Sequence, residues 1–446
     1  MKQLSVKTFD LRIKGAPGDQ IKESASSDLA AVLPSSIPFI KPKLTKKIGD
    51  TVQQGEILFF DKSMPTTQFA SPVSGKIKHI EYGERRRIDE VIIEKDDKTA
   101  KSFDAISEDT LSSLSREDLT AYLVDQGTWP LLRVFPFKKA VDPKVDIPSI
   151  YVSLDDLEPF KPQSAVYAKG REDLFKFGLK ILRKLSSSVE VIASSEQDLG
   201  SHPLADVITV AVKGHYPATD PGVVLYQEKT STEQNATAYI SGQDLIRLAD
   251  GLRQGAYPTR KLVTVSGSLL KESFYCWADE GQPIMSIIEG LDINGGEPYT
   301  ILGGLLTGRR SSIESYLGFY DDAIQVIPQR HEPEFFNFFK LGASKVGYSK
   351  SYLGGFIKSL FSPTAALNGG DRDCISCSYC AEVCPVDLLP QYVFKYLKGN
   401  DIEGAMHNGV LDCTECGLCT YVCPSKINLD HQFKVAKQQL HKEAMG

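Results

Sequence analysis

No uninterrupted apolar stretch in this 446-residue chain reaches the roughly 18–20 residues that a helix needs to cross a bilayer. The first ten residues lack the apolar core of a secretory signal, so a cytoplasmic chain is expected. A basic excess is missing too: 51 Lys and Arg against 57 Asp and Glu give a net charge of −6, which argues against a general nucleic-acid binder. The seven histidines are scattered, with no i, i+4 pair to hold a metal. His331, beside Glu332 and Glu334, reads as a solvated surface cluster. No Ser-His-Asp or paired-carboxylate set can be assembled from sequence order. No G-x-G-x-x-G follows a predicted strand and no G-x4-G-K-[ST] occurs, so no flavin or NAD site is evident. Cysteine is scarce as well. Of nine, only Cys276 lies outside residues 374–423.

Such clustering is not that of a disulfide-stapled fold, and reducing cytosol disfavours disulfides; it points to metal. The first run is Cys374-Ile-Ser-Cys377-Ser-Tyr-Cys380-Ala-Glu-Val-Cys384-Pro385, and the second is Cys413-Thr-Glu-Cys416-Gly-Leu-Cys419-Thr-Tyr-Val-Cys423-Pro424. Both read C-x2-C-x2-C-x3-C-P, the spacing of bacterial two-cluster ferredoxins. Two-residue gaps let a tight loop wrap three thiolates around one face of a 4Fe-4S cubane. The fourth cysteine is carried away, and the following proline turns the chain out of the loop. In such pairs the fourth cysteine ligates the other cluster. Two 4Fe-4S clusters are therefore expected, one on Cys374, Cys377, Cys380 and Cys423, the other on Cys413, Cys416, Cys419 and Cys384. Structural zinc would instead call for pairs of C-x2-C, four ligands per ion. Residues 388–398 and 401–406 read as short amphipathic helices between the runs. Tyr379 and Tyr421, beside ligands, read as packing aromatics.

The rest of the chain predicts a multidomain α+β protein. Residues 36–97 alternate with period two between turn signals, and their paired Gly turns look like a biotinyl/lipoyl-type barrel-sandwich. Lys62 falls near the modified lysine of such domains, but the turn after it is longer, so a solvated hairpin lysine is expected. Arg85, Arg86 and Arg87 read as a solvated edge. Residues 149–153, 189–192 and 207–212 read as strands and 173–185 as an amphipathic helix, an open α/β, Rossmann-like layer. Residues 258–330 suggest a β-grasp module resembling the SLBB (soluble-ligand-binding β-grasp) domains. Cys276 is expected to be a buried thiol in its second strand. The aromatic run at 335–339 is expected to pack between domains.

This order of parts resembles the NqrA family, a subunit of the Na+-translocating NADH:quinone reductases. Phe9-Asp10-Leu11 to Gly15-Ala16-Pro17 looks like that family's opening segment, and Trp129 to Arg133, Pro136 and Phe137 like its Trp-x-x-x-Arg-x-x-Pro-Phe element. Gly303 to Gly308 and Tyr316-Leu-Gly318 match its Gly-x-x-Leu-Thr-Gly and Tyr-Leu-Gly elements. Typical members keep only a remnant of the cysteine runs, whereas this chain has all eight ligands. In that it is similar to the two-cluster subunit of the Rnf ferredoxin:NAD oxidoreductases, but that family's glycine-rich flavin loop is replaced here by residues 129–137.

The expected domains are a barrel-sandwich at 1–104, the α/β layer at 105–256, the β-grasp module at 257–330 and a helical two-cluster domain at 331–446. The resemblance implies a peripheral electron-transfer subunit on the cytoplasmic side of the membrane, held by membrane subunits of an ion-translocating complex. Quinone enters as a candidate ligand, with no residue marking a pocket. The rival readings are a docking subunit with structural clusters and a soluble NADH–flavin oxidoreductase.

Overall fold

A computed structural model of the chain describes residues 1–446 apart from 19, 97–98, 197, 294–297, 330–352, 354–355, 357–359, 366–369 and 446. The aromatic run at 335–339 and His331 with its glutamates lie outside the described residues. Among the described residues the strands form four sheets.

The period-two segment folds into two small sheets. Leu29–Val32, Ile88–Lys95, Gly75–Tyr82 and Thr51–Val52 make one, in that order; Pro42–Leu44, Ile57–Asp61 and Gln68–Ala70 make the other. Their inward side chains, including Leu58, Phe59, Phe69, Ile77, Val91 and Ile93, are fully buried. Leu58 and Phe59 are adjacent yet both inside because the register shifts between Ile57 and Phe59, which breaks strict alternation. Phe59 stacks on Phe69 with centroids 4.7 Å apart, and burying such a side chain stabilises by about 1.5–3 kcal/mol. Gly75 begins its strand where a Cβ would lie 2.1 Å from the Glu94 carbonyl oxygen. At the turn, Lys62 is exposed; buried Asp61 organises the bend by accepting from the Lys41 and Ser63 amides.

The α/β layer is a seven-stranded sheet in the order Lys2–Ser5, Val210–Lys213, Val189–Ser194, Ile150–Ser153, Ala238–Ser241, Arg133–Val134, Lys139–Ala140. The first five run parallel. From Ile150–Ser153 the chain winds outward through two strands, then returns to add Ala238–Ser241 on the other side. That reversal makes a switch point at the carboxyl ends of Ile150–Ser153 and Ala238–Ser241. The helices Glu172–Leu185 and Gly242–Gln254 pack together, closely enough that a Cβ on Gly178 would meet Leu245 at 2.7 Å. Ser241 caps the second helix by accepting from the Asp244 amide, and left-handed Gly255 ends it.

A six-stranded sheet follows, ordered Arg309–Ser311, Pro298–Leu302, Ala323–Pro328, Arg260–Ser266, Phe274–Asp279, Ile21–Glu23. Cys276 sits in its Phe274–Asp279 strand, 1% exposed, within the apolar core of the sheet. Two short strands from the expected 1–104 unit thus pair elsewhere: Lys2–Ser5 with the α/β layer and Ile21–Glu23 with this sheet. Neither has an apolar face of its own, so each is placed by the sheet edge whose free N–H and C=O groups it satisfies.

The C-terminal part is helical: Tyr379–Glu382, Pro390–Lys398, Ile402–His407, Leu418–Tyr421 and Leu429–Met445. Val393, Phe394, Ala405, Val410, Leu429 and Phe433 fill its core. Buried polar contacts lock the layers together. Arg247 of the α/β layer, 2% exposed, pairs with Glu280 of the six-stranded sheet at 2.7 Å.

Candidate metal centre

The two cysteine runs fold alike. In each, the residue before the second cysteine and the residue after it are left-handed: Ser376 (φ 55°) and Ser378 (φ 64°), then Glu415 (φ 58°) and Gly417 (φ 74°). Alternating left- and right-handed residues curl a backbone so that successive N–H groups face one concavity, a nest suited to negative charge. One helical turn follows, Tyr379–Glu382 or Leu418–Tyr421, and it carries the third cysteine. The fourth lies just beyond, ahead of Pro385 or Pro424. Asp387 (φ 50°) and Lys426 (φ 58°), each three residues past it, are left-handed in both copies. Left-handed non-glycine residues cost of order 1 kcal/mol each and persist where the surroundings hold them.

The tertiary fold crosses the runs. One cavity is lined by Cys413, Cys416 and Cys419 and by Cys384 from the other run. A second is lined by Cys374, Cys377 and Cys380 and by Cys423. Every cysteine singled out by spacing is thus at a cavity wall. Among the described residues no three His, Cys, Asp or Glu groups converge closely enough for a single ion. The sulfurs stand around a space instead of a point.

Burial dominates the electrostatics. It pushes the Cys380 thiol up to about 11 and the Cys413 thiol up to about 12, and it raises Cys384, Cys416 and Cys419 as well. The opposing effects come from groups that favour thiolate. The amides of Val386 and Leu388 face Cys384, that of Leu418 faces Cys416, and that of Glu415 donates to Cys413 Sγ at 3.4 Å. Thiols this buried ionise only when a cation is bound among them, so the donor set fits an iron–sulfur group: soft sulfur ligands from both runs around one cavity, and inward amides.

The two cavities differ in surroundings. Ile375 in the first loop is 68% exposed, whereas Leu418 in the second run is fully buried. Lys437, with no exposed surface, donates to the carbonyls of Cys413 (2.6 Å) and Pro136 (3.0 Å) and to the Glu415 carboxylate (2.9 Å). Lys138 donates to the Thr414 carbonyl at 2.6 Å, and the Tyr216 hydroxyl to the Cys416 carbonyl at 2.7 Å. The buried Glu158 carboxylate accepts from the amides of Leu306 (2.5 Å) and Thr307 (2.8 Å) and from the Thr307 hydroxyl (2.6 Å). That fixes Leu306, whose carbonyl oxygen would lie 3.0 Å from a Cβ on Gly417. Phe9 meets Tyr421 edge-on at 5.8 Å, which fits a packing role for that tyrosine. Sequence reasoning missed Lys138, Glu158, Tyr216 and Lys437. A lysine on an amphipathic helix carries no signal that it will be buried.

Three stretches match known families. Residues 5–96 match the NqrA N-terminal barrel-sandwich hybrid domain and residues 114–257 the NqrA second alpha/beta domain. Residues 373–427 match the 4Fe-4S dicluster domain, which places iron–sulfur chemistry in the cysteine region. Across its length the chain is similar to the NqrA protein of the Na(+)-translocating NADH-quinone reductase of Vibrio atlanticus, 27% identical over 401 residues and covering 90% of each chain. The Klebsiella pneumoniae counterpart is 29% identical over 404 residues, again with 90% of each covered. An NAD+-reducing [NiFe]-hydrogenase structure aligns with 77% of this chain and 67% of its own at 11% identity, with a TM-score of 0.36, too low to carry a fold argument.

The α/β layer also brings together Asp155, Ser164 and His202, all buried, a set invisible in the sequence. Ser164 Oγ lies 2.7 Å from both Asp155 Oδ2 and His202 Nε2. The Leu204 amide donates to His202 Nδ1 at 3.1 Å, so the ring proton sits on Nε2 and points at the serine. The imidazole donates to Ser164 and cannot take its proton, so the set is a structural chain and not a nucleophile with its base.

Proposed function

We propose that this chain is a peripheral electron-transfer component of an Nqr/Rnf-type, ion-translocating NADH:quinone (or ferredoxin:NAD) oxidoreductase. It relays single electrons through two 4Fe-4S clusters. One would be held by Cys374, Cys377, Cys380 and Cys423, the other by Cys413, Cys416, Cys419 and Cys384. The observation that carries this reading is the crossed lining of the two cavities, three cysteines from one run and one from the other in each. When bound, the clusters supply one-electron chemistry. The protein's part is to hold them side by side, exclude water and offer amides to the sulfurs; each transfer is one electron in and one out, with no bond made or broken in the chain. We read the six-stranded sheet, whose first and last long strands Arg260–Ser266 and Ala323–Pro328 are parallel neighbours, as a β-grasp module of the SLBB type. The α/β layer is read as Rossmann-like.

One arrangement favours the relay over a soluble NADH–flavin enzyme. Open α/β sheets take ligands outside the carboxyl ends of their strands, at the switch point. Here the part of that carboxyl edge beyond Val210–Lys213, two strands from the switch point, is occupied by the chain's own second cysteine loop. Tyr216, just past Val210–Lys213, holds the Cys416 carbonyl, and a Cβ on Gly222 in the next helix would meet Thr414 at 3.0 Å. No helix among the described residues is long and apolar enough to span a membrane, so attachment is assigned to partner membrane subunits, on the cytoplasmic side. Quinone stays a candidate ligand of the complex.

The test is anaerobic purification with iron and sulfide counting and low-temperature EPR of the reduced protein. About eight irons per chain and two interacting signals are expected. Colourless protein, or protein holding zinc, overturns the reading. Unchanged turnover of the assembled complex carrying Cys377→Ser would leave only a docking role.

A further inference from the structure

The two cavities share a backbone pattern, yet among the described residues only the second has a fully buried ammonium built into its ligand loop. Lys437 reaches that loop from the Leu429–Met445 helix and touches the carbonyl of a ligand residue, Cys413, at 2.6 Å. Its counter-charge, Glu415, lies within the same loop at 2.9 Å. Water screens the pair little: Lys437 has no exposed surface and the Glu415 side chain is 16% exposed. The lysines on the first loop are different. Lys395 meets the Ser376 hydroxyl at 3.2 Å and Lys398 meets Asp373 at 3.3 Å, and both lysines are exposed. Charges in the interior act through a low effective dielectric, whereas exposed ones are damped by solvent and salt.

Reduction adds one negative charge to an iron–sulfur group, so a fixed positive charge beside it favours the reduced form and a fixed negative charge opposes it. We propose that Lys437 and Glu415 set the reduction potential of the group held by Cys413, Cys416, Cys419 and Cys384, independently of the other group. Lys437 raises it and Glu415 lowers it, so the two clusters are electrostatically unequal by construction. Loss of Lys437 also removes the hydrogen-bonded counter-charge of Glu415, and both consequences act in the same direction. These are positioning charges, not ligands, and the inference rests on the cluster reading given above.

The test is a redox titration of the anaerobically purified full-length chain, followed by low-temperature EPR. Cys413→Ser identifies which spectral component belongs to the second site. Lys437→Met is expected to lower the midpoint potential of that component and Glu415→Gln to raise it, with the other component unmoved. Lys437→Arg should keep the wild-type potential, and Lys395→Met should shift neither. Should Lys437→Met fail to fold, Glu415→Gln decides alone. Two intact signals whose potentials stay put in Glu415→Gln, or move together, overturn this proposal and leave the relay standing. A wild-type chain with no cluster signal overturns both.

Discussion

Tyr216 and Cys416, 200 residues apart in sequence, are joined by a hydrogen bond of 2.7 Å from the phenol to the ligand residue's carbonyl. The tyrosine stands just past a parallel strand of the α/β layer, 4% exposed, and the cysteine lies in the second ligand loop. The cysteine domain is therefore seated on the carboxyl edge of the sheet by a buried polar contact as well as by apolar packing.

Tyr216→Phe keeps the ring and deletes the donor, leaving the Cys416 carbonyl without it. An unsatisfied buried acceptor costs about 1–3 kcal/mol. Denaturant unfolding should show a loss in that range, and a change within about 0.3 kcal/mol would mean that another donor has replaced the phenol.

Crossed ligation makes a pairing prediction. Cys384→Ser and Cys413→Ser should abolish the same EPR component, and Cys423→Ser and Cys374→Ser should abolish the other. Uncrossed ligation would instead group Cys384 with Cys374. Iron content in each variant should fall to about half.

Arg247 and Glu280 form a buried ion pair between two layers, 2.7 Å apart, and the Tyr257 hydroxyl also donates to the carboxylate. Burial pushes Glu280 up, and the Arg247 guanidinium opposes it. Removing one partner of such a pair strands a buried charge, at about 3–5 kcal/mol. Glu280→Gln should destabilise by that order in a thermal or denaturant melt, while Arg247→Met combined with Glu280→Leu should recover much of the loss. Equal losses in the single and double variants would show that packing, not charge, decides this interface.

His202 supplies a pH dependence. Burial holds its pKa below the ordinary 6.5, with Asp155 opposing, and the Leu204 amide must be displaced for Nδ1 to take a proton. The unfolded chain then binds the proton first as pH falls, so the unfolded state carries more protons in that window. Stability rises with pH there, and this contribution is present above about 6.5 and lost below it. His202→Gln should flatten the stability–pH curve relative to the parent as pH falls below about 6.5. Parallel curves would exclude this histidine as the source.

Much of the fold was legible because it is local. The helix expected at 173–185 forms as Glu172–Leu185, since its apolar positions recur on one face. The strand expected at 149–153 forms as Ile150–Ser153. The strand expected at 207–212 forms later, as Val210–Lys213, because Ala205–Val207 takes a helical turn first. Lys2–Ser5 and Ile21–Glu23 were not assignable to their sheets, because a short strand exposed on most of its side chains carries no pattern naming its neighbour. The Asp155, Ser164 and His202 chain was equally hidden: each residue is unremarkable alone, and only the packing of two loops against the start of the helix Ser164–Tyr167 joins them.

By itself the amino-acid order determined which sulfurs can share a loop. Two-residue gaps, with the same left-handed positions in both runs, are properties of a dozen consecutive residues and repeat wherever the pattern repeats. The paired motifs already pointed Cys384 to the second site and Cys423 to the first; only the tertiary structure decided that Lys437 lies inside the protein and not in water. The reason is one of range. Backbone dihedrals and short spacings are set by neighbouring atoms, whereas the burial of a charge depends on which distant carbonyls and carboxylates arrive to replace its water.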